Sequence, residues 1–82
     1  MNETEKRIAA FLRDYLILDE GSLDIEELIF TNGIVDSFSL IEIIQFVEES
    51  EGVEVLQDEV TLENFDSIKR IAAFVSGKKD GV

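Results

Sequence analysis

Three observations predict an all-α fold for this chain: a small four-helix bundle, three main helices plus one short helix, with a long loop between helices 1 and 2. Apolar residues recur at offsets of three and four in three separate segments. Capping residues and glycines bracket those segments, and proline is absent throughout. At 82 residues, 45% of them hydrophobic, the chain reads as a single domain over 1–82, able to bury a modest core but not a core plus a walled catalytic cleft.

Helix 1 is predicted over roughly residues 3 to 17. Ile8, Phe11, Leu12, Tyr15 and Leu16 form its apolar face, behind the capping candidates Asn2 and Thr4. From Asp19 to Val35 the pattern breaks at Gly21 and Gly33, while Leu23, Ile25, Leu28, Ile29 and Phe30 stay apolar enough to pack down on the core. A loop of that length is either functional or held by its own side chains. Helix 2 is predicted from Ser37 to about Ser50, stopping near Gly52, with Leu40, Ile43, Ile44 and Val47 facing inward. Val53 and Val55 then alternate with Glu54 as a brief extended piece, and Thr61 to Phe65 reads as one short helical turn. Asp66 is expected to cap a last helix with the face Ile68, Ile71, Ala72 and Val75. It should end at Gly77, with Lys78 and Lys79 in the favourable C-terminal position. The helices are expected to pack as an antiparallel bundle.

Composition removes several function classes. Cysteine and histidine are both absent, which rules out a nucleophilic thiol, a thiolate metal site and the usual near-neutral acid/base group. No Asp-x-Asp-x-Asp-Gly loop with a closing Glu is present, so no calcium loop and no metal site is expected. Carboxylates are plentiful, but no segment isolates an acid from a base, and an enzyme is not expected. The first residues lack the basic region and apolar run of a signal peptide, and no apolar stretch approaches membrane-spanning length, so the expected location is cytoplasmic.

Net charge is −12, and its distribution is uneven: all seven basic residues lie outside positions 14 to 68, which hold sixteen of the nineteen acids. That surface repels nucleic acid and anionic lipid and steers partners with basic patches. On helix 2, Phe38 and Ile41 fall off the core stripe, towards the side of Glu42, Gln45, Glu48 and Glu49. An apolar centre with a charged rim is a protein-docking pattern.

The segment Gly33-Ile34-Val35-Asp36-Ser37 places a hydroxyl at the first turn of helix 2. Asp36 is positioned to accept from the amides of Phe38 or Ser39, which leaves Ser37 at a positive helix end suited to carrying a phosphate. With Phe38 and the later run Leu62-Glu63-Asn64-Phe65-Asp66-Ser67-Ile68, this segment resembles the acyl carrier protein and phosphopantetheine-binding family over nearly the whole chain. The resemblance implies a four-helix bundle and a 4′-phosphopantetheine arm, taken from coenzyme A, on Ser37. It implies that Asp36 caps the helix and assists transfer, and that the arm's thiol carries an acyl or aminoacyl group as a thioester. Implied partners are a phosphopantetheinyl transferase, an acyl- or aminoacyl-loading ligase and downstream synthases or transferases, met by a monomer. Phe38, Ser39, Glu51 and Leu56 depart from the commoner family residues and favour a specialised stand-alone carrier over the housekeeping fatty-acid carrier. Without the resemblance, the first-ranked reading is a non-covalent acidic helical interaction module.

Overall fold

The computed structural model describes residues 2–19 and 22–80; the break expected at Gly21 lies outside them. Four helices follow one another: α1 (Glu3–Leu16), α2 (Ser37–Glu51), α3 (Leu62–Phe65) and α4 (Ile68–Asp80), with a 3₁₀ turn at Gln57–Glu59. The all-helical bundle expected from periodicity is what the chain forms, and no strand occurs among the described residues.

Each helix begins where a side chain replaces a missing backbone partner. The Asn2 side chain accepts from Glu5 N at 2.7 Å while Glu5 accepts from Asn2 N at 2.9 Å, a reciprocal pair that starts α1. Asp36 starts α2, and Thr61 starts α3 by accepting from Asn64 N. The last helix corrects the sequence reading. Ser67, not Asp66, accepts from the α4 amide of Arg70 (3.1 Å). Asp66 is instead buried and serves the long loop. α4 also runs through Gly77 to Asp80, because Lys78 and Lys79 are tied to carboxylates elsewhere in the fold and hold the last turn against glycine's cost of about 1 kcal/mol.

The core gathers Ile8 and Leu12 of α1, Ile43 and Val47 of α2, Phe65 of α3, and Ile68, Ile71 and Val75 of α4, all essentially without solvent contact. Leu40 and Ile44, expected in the same stripe, are half-buried against this cluster. The loop between α1 and α2 contributes to the core through Leu23, Ile29 and Val35. Two backbone–backbone hydrogen bonds tie it to the segment that opens α4. Ile29 N donates to the carbonyl of Asp66 (2.8 Å), and Ile25 O accepts from Lys69 N (2.9 Å), an early α4 amide with no partner in its own helix.

Two buried carboxylates join the elements. Asp66 Oδ1 accepts from Phe30 N (2.8 Å) and Thr31 N (3.0 Å), and Oδ2 accepts from the Thr31 hydroxyl. Burial alone would raise its pKa, but the Thr31 hydroxyl and these amides outweigh it and hold the carboxyl below its ordinary range. Glu51, the last residue of α2, has a fully enclosed side chain. Arg7 grips it through Nε (2.7 Å) and Nη2 (2.8 Å), Lys79 Nζ donates at 2.8 Å, and Ser50 Oγ at 3.0 Å. A carboxylate at a helix C-terminus opposes the helix dipole, and these donors reverse the balance. The Arg7 fork, followed by Lys79 and Ser50, overcomes the burial penalty and lowers the Glu51 pKa to about 2. One clamp therefore joins the first turns of α1, the end of α2 and the end of α4.

Candidate functional site

The long loop delivers its end to one place. Ile34 N and Val35 N both donate to Ile29 O, at 2.9 and 3.0 Å, and Ile29 is itself held by Asp66. Gly33 lies at φ +76°, a left-handed conformation that allows this return of the chain at no steric cost. Val35 is buried, and the next three residues emerge into solvent as α2 begins.

Asp36 does the capping. Its Oδ1 accepts from Ser39 N (3.0 Å) and from the Ser39 hydroxyl (3.2 Å), and Ser39 is buried. The amide bond from Ser39, then its hydroxyl, lower the Asp36 pKa from the ordinary value, so the carboxylate is a fixed negative charge at neutral pH. Ser37, the first residue of α2, is exposed, and its hydroxyl makes no hydrogen bond among the described residues. The expected division of labour is therefore present: Asp36 fixes the turn and leaves the Ser37 oxygen spare. An attached phosphodiester fits this position, since no neighbouring side chain engages the oxygen and the first-turn amides favour an anion.

The six candidate docking residues divide. Phe38 is 77% exposed and Ile41 61%, so neither folds back onto the loop. Glu42, Gln45 and Glu49 follow on the exposed side of α2. Glu48 differs from the expectation of an open rim: it is half-buried, and its Oε2 accepts from Val55 N at 3.0 Å, which secures the extended piece after α2. Two hollows flank this surface. One, about 150 Å³, is lined by Phe30, Leu40, Val60, Thr61, Leu62 and Phe65. The other, about 320 Å³, lies between α1 and α2 and is lined by Phe11, Phe46, Glu42, Gln45 and Glu49.

No helix among the described residues is long and apolar enough to cross a membrane. No family model matches the chain, and no curated protein matches it.

Two structural residues behind this site escape the sequence reading. Asp66 was expected at a helix cap, and Glu51 was assigned no structural role. The signal for Glu51 lies in the charge distribution, since an acid at the end of α2 is the natural anchor for cations confined to the chain's two ends.

Proposed function

We propose that this protein is a carrier: Ser37 receives a 4′-phosphopantetheine arm from coenzyme A, and the domain presents the attached group to partner enzymes. One observation carries the reading. Ser37 holds an exposed hydroxyl, without a hydrogen bond among the described residues, at the positive end of a helix that the neighbouring Asp36 already caps through Ser39. Serines at helix starts are mostly caps or solvated hydroxyls; here Asp36 is the cap and Ser37 is free of that duty.

When bound, the arm supplies a terminal thiol that holds an acyl or aminoacyl group as a thioester, chemistry that a cysteine-free chain lacks. Ser37 Oγ is the attaching atom: it would lose its proton and bond to the phosphorus of the arm as the pyrophosphate bond of coenzyme A breaks and adenosine 3′,5′-bisphosphate leaves. Asp36 holds the first turn so that this oxygen stands clear of the protein. The loop, pinned by Asp66 through Ile29, Phe30 and Thr31, keeps both residues in place. Phe38 and Ile41 offer apolar contact to partners, and Glu42, Gln45 and Glu49 a polar rim. The partner classes are a phosphopantetheinyl transferase, a loading ligase and downstream synthases or transferases with basic surfaces. The setting proposed is cytoplasmic, and the chain delivers cargo without catalysing a reaction itself.

The test is intact mass after co-expression with a broad-specificity phosphopantetheinyl transferase. Wild type is expected to gain one arm and Ser37→Ala none, with both variants folded. An unmodified wild type, or a modified Ser37→Ala, overturns the reading. The first result would return the chain to the class of non-covalent interaction modules.

A further inference from the structure

The chain's only Asn-Gly step, Asn32-Gly33, lies in the turn that returns the long loop towards α2, just ahead of the Asp36 cap. Asn32 is exposed, and nothing stands within 4 Å of the place a Cβ would take on Gly33, so the step is uncrowded.

Such a step carries chemistry of its own. The Gly33 nitrogen, once deprotonated, attacks the side-chain carbonyl carbon of Asn32. An N–Cγ bond forms, the Cγ–Nδ2 bond breaks, and Nδ2 leaves as ammonia with the proton that Gly33 gave up. Water then opens the five-membered imide. Opening at Cγ yields aspartate. Opening at the main-chain carbonyl yields isoaspartate, in which the backbone runs through Cβ and is one methylene longer. Glycine favours the attack, since no side chain shields its nitrogen and its backbone is free to turn. Asn2 and Asn64 precede Glu3 and Phe65, whose side chains obstruct it.

The fold restrains this reaction without abolishing it. Gly33 N donates to Phe30 O (3.1 Å), Asn32 N to Leu28 O (2.8 Å), and Asn32 Nδ2 to Glu27 Oε2 (2.6 Å). The attacking nitrogen and the carboxamide are both engaged, and both must be released before they can react. Exposed hydrogen bonds of this kind open locally at little cost, unless the segment behind them is held. Here it is held by Asp66, which accepts from Phe30 N, Thr31 N and the Thr31 hydroxyl.

We infer that Asn32 is a slow, spontaneous modification site, converting to aspartate and isoaspartate at a rate that the Asp66 pin sets by limiting the opening of this turn. The product alters the approach to Ser37. A carboxylate at position 32 faces Glu27 where an N–H donor stood, so an attraction becomes a repulsion. In isoaspartate the added methylene also falls within the segment that Ile34 N and Val35 N close by donating to Ile29 O, at 2.9 and 3.0 Å. Those two bonds weaken, and with them the placement of the residues that lead into α2. The inference goes beyond the carrier reading and holds whether or not Ser37 bears an arm.

The experiment incubates the protein without an arm in mildly alkaline buffer, natively and unfolded in guanidinium chloride. One conversion adds about 1 Da and one negative charge, so anion exchange follows it and tandem mass spectrometry places it. Conversion is expected at Asn32, at least about fivefold slower in the native than in the unfolded protein. Asn32→Gln is expected to remain unconverted at that position. Asp66→Asn is expected to raise the native rate severalfold relative to its own unfolded rate. Thr31→Ala, which removes only the hydroxyl tie, is expected to act in the same direction to a smaller extent and decides if Asp66→Asn fails to fold. The purified isoaspartate form is expected to show faster amide exchange at Ile34 and Val35 than the unconverted protein. Conversion at Asn2 or Asn64 ahead of Asn32, a native protein that never converts or converts as fast as the unfolded one, a native rate unmoved by the variants, or unchanged exchange at Ile34 and Val35 overturns the inference.

Discussion

Replacing Glu51 by Gln tests the clamp that joins three helices. A carboxyl that ionises near 2 in the folded state and near 4.5 in the free chain contributes at most about 3 kcal/mol at neutral pH. Arg7 and Lys79 are 43% and 41% exposed in their side chains, so solvent screens part of that value and allows both cations to rehydrate when Glu51 is lost. The expected cost of Glu51→Gln is therefore about 1–2 kcal/mol, or roughly 5–15 °C in melting temperature for a domain of this size. The sign with pH follows from a depressed folded-state pKa. The contribution is complete above about pH 5 and disappears as pH falls towards 2. Acidification also relieves repulsion among the other carboxylates, so the measured quantity is a difference between proteins. Thermal melts of wild type, Glu51→Gln and the exposed control Glu49→Gln from pH 7 to pH 2 supply it. Glu51→Gln should melt well below both others at pH 7 and converge on wild type near pH 2. If it melts like Glu49→Gln at pH 7, or if the gap persists unchanged to pH 2, the clamp does not contribute as argued.

Three further outcomes are expected. Asp66→Asn keeps an acceptor for Phe30 N and Thr31 N but removes the charge, and should cost about 1–2 kcal/mol in urea unfolding, with faster amide exchange at residues 29–31 than in wild type. Ile17 is 91% exposed and sits at φ +57°, a left-handed position costing a side chain about 1–2 kcal/mol, so Ile17→Gly should raise the melting temperature by a few degrees after glycine's own entropy cost of about 0.5–1 kcal/mol. Glu42, Glu49, Glu54, Asp58 and Glu63 have no ion-pair partner among the described residues, so raising sodium chloride from 20 mM to 500 mM should stabilise the wild type by a few degrees, and a flat response would mean that their repulsion is negligible.

Helix existence was legible wherever a core stripe and a cap agreed. Asn2 before Ile8 and Leu12, and Asp36 before Ile43 and Val47, specify α1 and α2 almost to the residue. The end of α4 was not legible, because Gly77 is a local stop signal and the ties that override it, Lys78 to Glu59 and Lys79 to Glu51, span 19 and 28 residues. Asp66 and Ser67 show the same limit at shorter range: either is an acceptable cap by type, and burial beside Thr31 assigns Asp66 to the loop instead. At the candidate site, the Asp36 cap and the exposed position of Ser37 follow from adjacent residues and could be read directly. The aromatic hollow beside Glu42 and Glu49 could not be read, because it requires Phe11 of α1 to meet Phe46 of α2.

The Glu51 clamp also gives the protein a direction. Arg7 and Lys79, near the two chain ends, meet at the last residue of α2, while Ser37 is that helix's first residue, about 21 Å away at 1.5 Å per residue. Both anchor points for a handle thus belong to one pole of the molecule and the free hydroxyl to the other. A tag, a surface linker or a fused enzyme attached before Arg7 or after Lys79 leaves the opposite pole facing outward. The domain can in this way be displayed as an oriented array, its serines presented together to whatever approaches from solution.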